Sequence, residues 1–479
     1  MQKINHLIIY ILAAIAAAIF LLVAVPKVLF PYEAHWMEGA MLAEVSWLLG
    51  GHALYTAPSI YHVPSLYQPL YYYITTAIAS VTGLSYFTAR IPSILATSMT
   101  IGFIYYVVRR ETSKTVLAIA AIGLFIAAFG KTEYGFLTAR IDPLVTALIL
   151  AASVAIYYSK SYRGLFFGAL LFALGFFTKQ SAMVFVPAIV IYLLVIRDWK
   201  QALLFSLSFI GIIAIGIFSM NFVSDGWYSF YTYSIISAMA KSPRWDYALH
   251  GLLAYIILRC WVVAIPLLFL PLRSFVLRSQ VNRHRSSVFF GLMFAASILA
   301  GYLGILNPGG GHNVLLPAAV FGAIFLPLIV DELSSKRFGA IIRWLIPIQL
   351  LFLLSYPFGD SRNSVGSSDK ENYKKFYSYV SSLPGEVWIP YHSFTETFTG
   401  KREYAGYDFL DGARMPDDKR ASAFRNDIDT AFAARHWNFI LSDFKQVFPY
   451  YRLSTTTVNL NKMHGSDDTL LYIYEPATK

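Results

Sequence analysis

What most constrains this chain is a set of long stretches without a single charged residue, among them 7–25, 116–130 and 201–223. A helix rises about 1.5 Å per residue, so about 20 apolar residues cross the hydrocarbon of a bilayer. Stretches of that kind carry more apolar surface than one aqueous core can bury. Only 14% of the residues are charged and 57% are hydrophobic, where soluble domains have roughly 25% and 45–50%. The chain is therefore a polytopic membrane protein.

Apolar windows predict about eleven transmembrane helices, near 7–29, 89–108, 115–130, 140–158, 164–178, 180–196, 201–223, 248–270, 288–306, 312–330 and 340–357. Lys3 and His6 precede the first, as in a signal peptide. It exceeds the ~7–15-residue apolar core of such peptides, and Pro26-Lys27 is a poor cleavage site, so it is read as a span. Lys and Arg in short loops concentrate on the cytoplasmic side. One set of loops holds Arg109, Arg110, Lys114, Lys160, Arg163, Arg197, Lys200, Arg273 to Arg285, Lys336 and Arg337. The alternate set holds Glu33, Glu38, Glu44, Glu133, Asp142, Asp225 and Asp246. The N-terminus is thus expected in the cytoplasm and the tail outside a cell membrane.

The net charge of +11 does not point to nucleic acid. Residues 1–356 hold 23 basic and 11 acidic residues while 357–479 hold 15 and 16, so the excess belongs to the membrane loops. The single cysteine, Cys260, forms no internal disulfide and says nothing of the compartment.

The chain divides into a transmembrane part, 1–357, and a soluble tail, 358–479. Within the first, 31–88 is a long outer loop with two amphipathic stretches, 37–49 and 68–81, expected to lie along the interface with Trp36, Trp47 and Tyr71-Tyr72-Tyr73 at headgroup depth. The tail reads as helix 370–382, strand 386–391, helix 420–435, strand 438–442 and strand 469–475, a small α/β domain.

Ionisable groups at the membrane boundary are costly and so are candidates for function. Glu33 and Glu38 lie just past the first span; a half-desolvated carboxylate there suits a general base, and either could equally face water. Arg90 and Arg140 stand at outer ends of spans, where guanidinium groups suit bidentate phosphate contact. Asp142 could pair with Arg140 or favour the start of the helix that Pro143 opens. Lys179, at a break between two short apolar helices, could snorkel or hold a phosphate. The Gly-rich turn before His312 and Asn313 offers backbone N–H groups and two polar side chains, or is only a tight re-entry. No nucleotide-binding loop, zinc spacing or serine-nucleophile elbow occurs. No cofactor is indicated, although Glu33, Glu38 and Asp142 could converge on a divalent metal.

Glu38-Gly39-Ala40-Met41, Gly50-Gly51-His52-Ala53-Leu54-Tyr55, Tyr67-Gln68-Pro69-Leu70, Ala89-Arg90, Ala139-Arg140-Ile141-Asp142 and Phe177-Thr178-Lys179-Gln180 occur in that order. The sequence here resembles the GT-C membrane glycosyltransferases, in the branch of protein O-mannosyltransferases and lipid A aminoarabinose transferases. The resemblance implies an all-α GT-C-like membrane domain. It implies transfer of a sugar from a polyprenyl-phosphate donor to a hydroxyl of a glycolipid, glycan or protein at the extracytoplasmic face. By it, Glu38 is the expected base, with Glu33 as the other choice and Asp142 as the second outer acid. Arg90, Arg140 and Lys179 become phosphate ligands; Tyr67, Gln68, His312 and Asn313 are candidates for the sugar or acceptor. The usual Asp-Glu pair of the first loop is absent, and the usual Pro-Pro-Leu is Gln68-Pro69-Leu70. Two other readings are a transporter or flippase of lipid-linked glycans, and a polymerase or ligase of surface polysaccharide. Charges crowding the outer face without internal repeats speak against the first; a large loop early in the chain speaks against the second.

Overall fold

The computed structural model describes residues 2–132, 135–159, 161–196, 198–241, 243, 245–250, 261–269, 285–307, 310–334, 339–355, 365–459 and 470–477. Glu133, Lys160, Arg197, Cys260, Arg273, Lys336, Arg337 and residues 251–260 and 270 of the span expected at 248–270 lie outside them.

Among the described residues, six helices are long and apolar enough to span a bilayer: Gln2–Leu29 (α1), Tyr86–Thr112 (α4), Ile141–Tyr158 (α6), Trp199–Val223 (α9), Arg285–Leu306 and His312–Leu333. Shorter apolar helices are Thr115–Ala127 (α5), Tyr162–Phe176 (α7), Gln180–Val195 and Gly339–Leu354. Each falls on an expected span. Burial separates protein-facing from lipid-facing positions. In α1, Ile9, Ala13, Ala16, Phe20 and Ala24 recur at helical spacing and are buried, whereas Leu22 is 75% exposed. Leu316–Leu333 is apolar on every side and nearly all buried, as befits the middle of a bundle.

One end of the bundle gathers the N-terminus, Lys114 paired with Asp331, and Glu111 receiving hydrogen bonds from Tyr157 and Tyr158. The other end carries Met37–Leu49 (α2), Leu70–Thr82 (α3) and the tail domain. In helix α3 Tyr71, Tyr72, Thr75 and Ala79 are buried and Val81 is 86% exposed, so Tyr71 and Tyr72 pack inward instead of lying at an exposed surface. Helix α2 is covered more completely. From Met37 to Val45 only Ala43 is less than buried, because the tail domain covers the face expected to meet headgroups and water. One apolar cluster joins Met37, Met41 and Tyr71 to Trp388, Phe424 and Trp437 of the tail.

The tail folds as a four-stranded sheet in the order β1-β2-β4-β3, with β1 Val387–Trp388, β2 Phe439–Ser442, β3 Tyr451–Asn459 and β4 Leu470–Pro476. Strands β1 and β2 are parallel; the other pairs are antiparallel. Helix Ser367–Ser382 packs Phe376 and Val380 on one face, and Lys419–Ala433 packs Phe424 and Ile428 on the other. Strand β1 is shorter than the expected 386–391. Pro390 has no N–H to give a ladder, and the chain turns there toward the membrane domain. Strand β3 is absent from the sequence reading, since its Ser454-Thr455-Thr456-Thr457 run lacks the apolar alternation that marks a strand.

Candidate functional site

Two of the expected site residues are joined to each other. Arg90 lies on α4 and Glu38 in the first turn of α2, and neither side chain is exposed. The Arg90 guanidinium donates from Nε to Glu38 Oε1 at 2.8 Å and from Nη2 to Oε2 at 2.6 Å. Its remaining N–H groups reach the carbonyls of Val28, Phe30 and Tyr32 at 3.2, 2.5 and 2.8 Å. Glu38 in turn accepts from the backbone of Ala34 and Ala139, both at 2.8 Å. A guanidinium has five N–H donors and all five are used. In this arrangement Arg90 has no donor left over for a phosphate, and both oxygens of the fully buried Glu38 carboxylate are occupied. The pair ties the end of α1, the first loop and the 139 segment together.

The polar groups that do gather lie one turn away. Asp142 opens α6 and is 4% exposed. Lys179 Nζ donates to its Oδ1 at 2.7 Å, Arg140 Nε stands 3.5 Å from its Oδ2, and the Asn313 side chain also hydrogen-bonds it. The local folding explains the convergence. Arg140 is extended just before α6, and α4 fixes that segment through Ser93 to the Arg140 carbonyl (2.9 Å) and Thr97 to the Phe136 carbonyl (2.6 Å). Helix α7 ends at Phe176, Lys179 is extended, and a 3-10 turn Gln180–Phe185 follows. That break turns a lysine inward beneath the ring of Tyr67, whose centre is 5.7 Å from Nζ.

His35 completes the group. It follows Glu33 by two residues, and the sequence alone gives it no role. The Arg140 guanidinium is 3.0 Å from its Nε2, and the Met37 N–H points at its Nδ1 at 3.2 Å. A neutral imidazole accepts at only one nitrogen, so one of these contacts sets donor against donor.

The other expected residues divide. Asn313 is buried at the cluster, and His312 is half-buried beside it. Tyr67 borders Lys179, whereas Gln68 is buried and accepts from the Tyr228 hydroxyl at 2.7 Å. Glu33 is 1% exposed and faces away, toward His392 of the tail at 3.0 Å. Glu33, Glu38 and Asp142 therefore do not converge on a metal, and no group of three or more His, Cys, Asp or Glu suited to one occurs among the described residues.

Glu44 and His62 form a further buried pair, 3.7 Å apart, with the Ser65 N–H donating to Glu44 at 2.6 Å. Burial pushes the Glu44 carboxyl well up and the His62 imidazole down to about 3, which favours the neutral forms of both.

Residues 62–223 match the sequence profile of the dolichyl-phosphate-mannose-protein mannosyltransferase family. That stretch contains Arg140, Asp142 and Lys179. No curated protein sequence matches the chain. The whole fold is similar to the crystal structure of ArnT from Cupriavidus metallidurans bound to undecaprenyl phosphate, with a TM-score of 0.56, 9% identity and 97% of each chain covered. It is also similar to the apo state of the same protein, with a TM-score of 0.55, 11% identity and 97% coverage of each. The architecture is thus the GT-C-like one, an α-helical membrane bundle with a small sheet domain near the C-terminus.

Proposed function

We propose that this protein is a membrane glycosyltransferase that moves a sugar, hexose or pentose, from a polyprenyl-phosphate carrier to an acceptor hydroxyl. One observation carries the reading: Lys179 and Arg140 converge with Asn313 on the single carboxylate of Asp142, inside the stretch that matches the mannosyltransferase profile. The fold it shares with a protein crystallised with undecaprenyl phosphate supports a lipid phosphate as the anion.

In the resting site Asp142 neutralises the two cations. A donor phosphate offers them a second anion, and Arg140 and Lys179 turn to it as charge-assisted donors. Asp142 is then released to take a proton. The acceptor oxygen attacks the anomeric carbon, the bond from that carbon to the phosphate oxygen breaks, and the acceptor proton passes to the carboxylate. Configuration inverts in this single displacement. His35, beside Arg140, meets the same phosphate. Glu38 and Arg90 keep the floor of the site in shape, which replaces the base role expected for Glu38. The acceptor is a glycolipid, glycan or protein hydroxyl, reached from the side of the tail domain.

The end of the bundle with Lys114 and the N-terminus faces the cytoplasm in this reading, and the cluster faces outward. Transfer of labelled sugar by the purified protein in nanodiscs, from a polyprenyl-phosphate donor, tests the activity. Mass analysis of envelope glycans and glycolipids with and without an active copy identifies the acceptor. A protein that neither binds polyprenyl phosphate nor transfers sugar refutes the reading. Reporter fusions after the last residue check the orientation, and a cytoplasmic signal overturns it.

A further inference from the structure

We infer that the turn at residues 392–395 of the tail domain is a positioning element for the anion-binding cluster: by clamping Glu33 and Gly39 it sets where His35 and Arg140 stand. Three independent contacts support this. His392 is 1% exposed, with Nδ1 3.0 Å from Glu33 Oε2 and Nε2 3.0 Å from Asp443 Oδ2. A ring with a carboxylate at each nitrogen ties the first outer loop to the tail sheet. Next, the Ser393 carbonyl lies so close to α2 that a Cβ on Gly39 would sit 2.0 Å from it. Only glycine allows that approach. The Gly39 N–H also donates to Glu33 Oε1 at 3.1 Å, so one carboxylate holds both the turn and the start of α2.

Phe394 supplies the third contact. Its φ of 75° places a residue with a side chain in the left-handed region, which is costly. Such a conformation persists where packing holds it, and the Phe394 ring is buried against Leu42, Tyr86, Ala89 and Ala139. Ala139 in turn donates to Glu38 at 2.8 Å, and Arg140 follows it in the chain. Both routes from the turn therefore end at the 3.0 Å contact between His35 and Arg140. One runs through Glu33, two residues from His35; the other runs through Ala139. The tail domain is then part of the site's scaffold rather than an appendage beside it.

The proposal relies on the glycosyltransferase reading only for the ligand, so its test has two readouts. In the full-length protein in nanodiscs, affinity for a short-chain polyprenyl phosphate is measured for wild type, His392→Gln, Arg140→Gln and the double variant. His392 does not touch the cluster, yet its loss should weaken binding about tenfold. The double variant should bind little worse than Arg140→Gln alone, because coupled sites are not additive. Additive losses, or none from His392→Gln, overturn the proposal. Amide exchange without ligand is the second readout: peptides covering 33–41 and 137–142 should exchange faster in His392→Gln, with Thr115–Ala127 unchanged. Unchanged exchange at 33–41 and 137–142 also overturns it. If wild type binds no lipid phosphate, the glycosyltransferase reading fails and exchange alone decides this one. Glu33→Gln removes the charge that holds His392 and serves the same two measurements should His392→Gln not fold.

Discussion

Replacing Glu38 by Gln separates a structural carboxylate from a catalytic one. Each Glu38 oxygen accepts two hydrogen bonds, one from Arg90 and one from a backbone N–H, and the side chain is fully buried. Glutamine keeps the shape but offers one acceptor oxygen. Its NH2 must face either Arg90 Nε and the Ala139 N–H, or Arg90 Nη2 and the Ala34 N–H. Both choices set three donors together and leave a guanidinium buried without its counter-charge. Breaking a buried ion pair by removing one partner costs about 3–5 kcal/mol, which is about a 10²–10³-fold or larger loss in the ratio of folded to unfolded protein. Adding Arg90→Met should not restore stability. The double variant strands the carbonyls of Val28, Phe30 and Tyr32 and one of the two amides of Ala34 and Ala139, and each unsatisfied group costs about 1–3 kcal/mol. Thermal and denaturant unfolding of Glu38→Gln in nanodiscs measures the effect. A variant that unfolds like wild type and yet transfers no sugar would refute this reasoning and return the role of base to Glu38.

Asp142→Asn should also lose stability, because it strips Lys179 and Arg140 of their shared counter-charge, but sugar transfer by the folded protein should fall by a further ~10²–10⁴, the usual worth of a positioned proton acceptor; transfer per folded molecule within a few-fold of wild type would remove Asp142 as the base. Lys179→Ala should weaken binding of polyprenyl phosphate at least about tenfold, whereas Lys241→Ala, at an exposed position, should not; equal affinities in titration count against Lys179 as a ligand. His392 links stability to pH. Burial alone would lower its pKa, but Asp443 and Glu33 raise it to about 10. Its contribution is therefore complete below about 6.5, the unfolded value, and is lost as pH rises through about 10. The difference in Tm between wild type and His392→Gln should shrink from pH 6 to pH 10, and a constant difference would show that the imidazolium charge is not what holds the tail domain.

Much of the candidate site was legible because its residues stand out locally. A lysine in an apolar break and an Arg-x-Asp at a span end are anomalous wherever the chain goes, and Lys179, Arg140, Asp142 and Asn313 do meet. Glu38 and Arg90 stood out for the same reason, yet they meet each other across 52 positions, and local sequence does not record which charges pair. His35 and His392 carried no signal at all. Neither is unusual for its surroundings until the fold brings Arg140 to one and Glu33 to the other.

The sequence by itself determined the membrane fold, the placement of most spans and the existence of a soluble tail, because these follow from charge and hydropathy within windows of about 20 residues. Tertiary structure alone decided that the tail lies on α2. That contact buries a helix whose composition suits an interface, and it turns Glu33 away from the site. Tertiary structure also decides how many donors surround a carboxylate and how far it is buried, as at Glu38. Those are properties of neighbours far apart in the chain, so they exist only once the chain has folded.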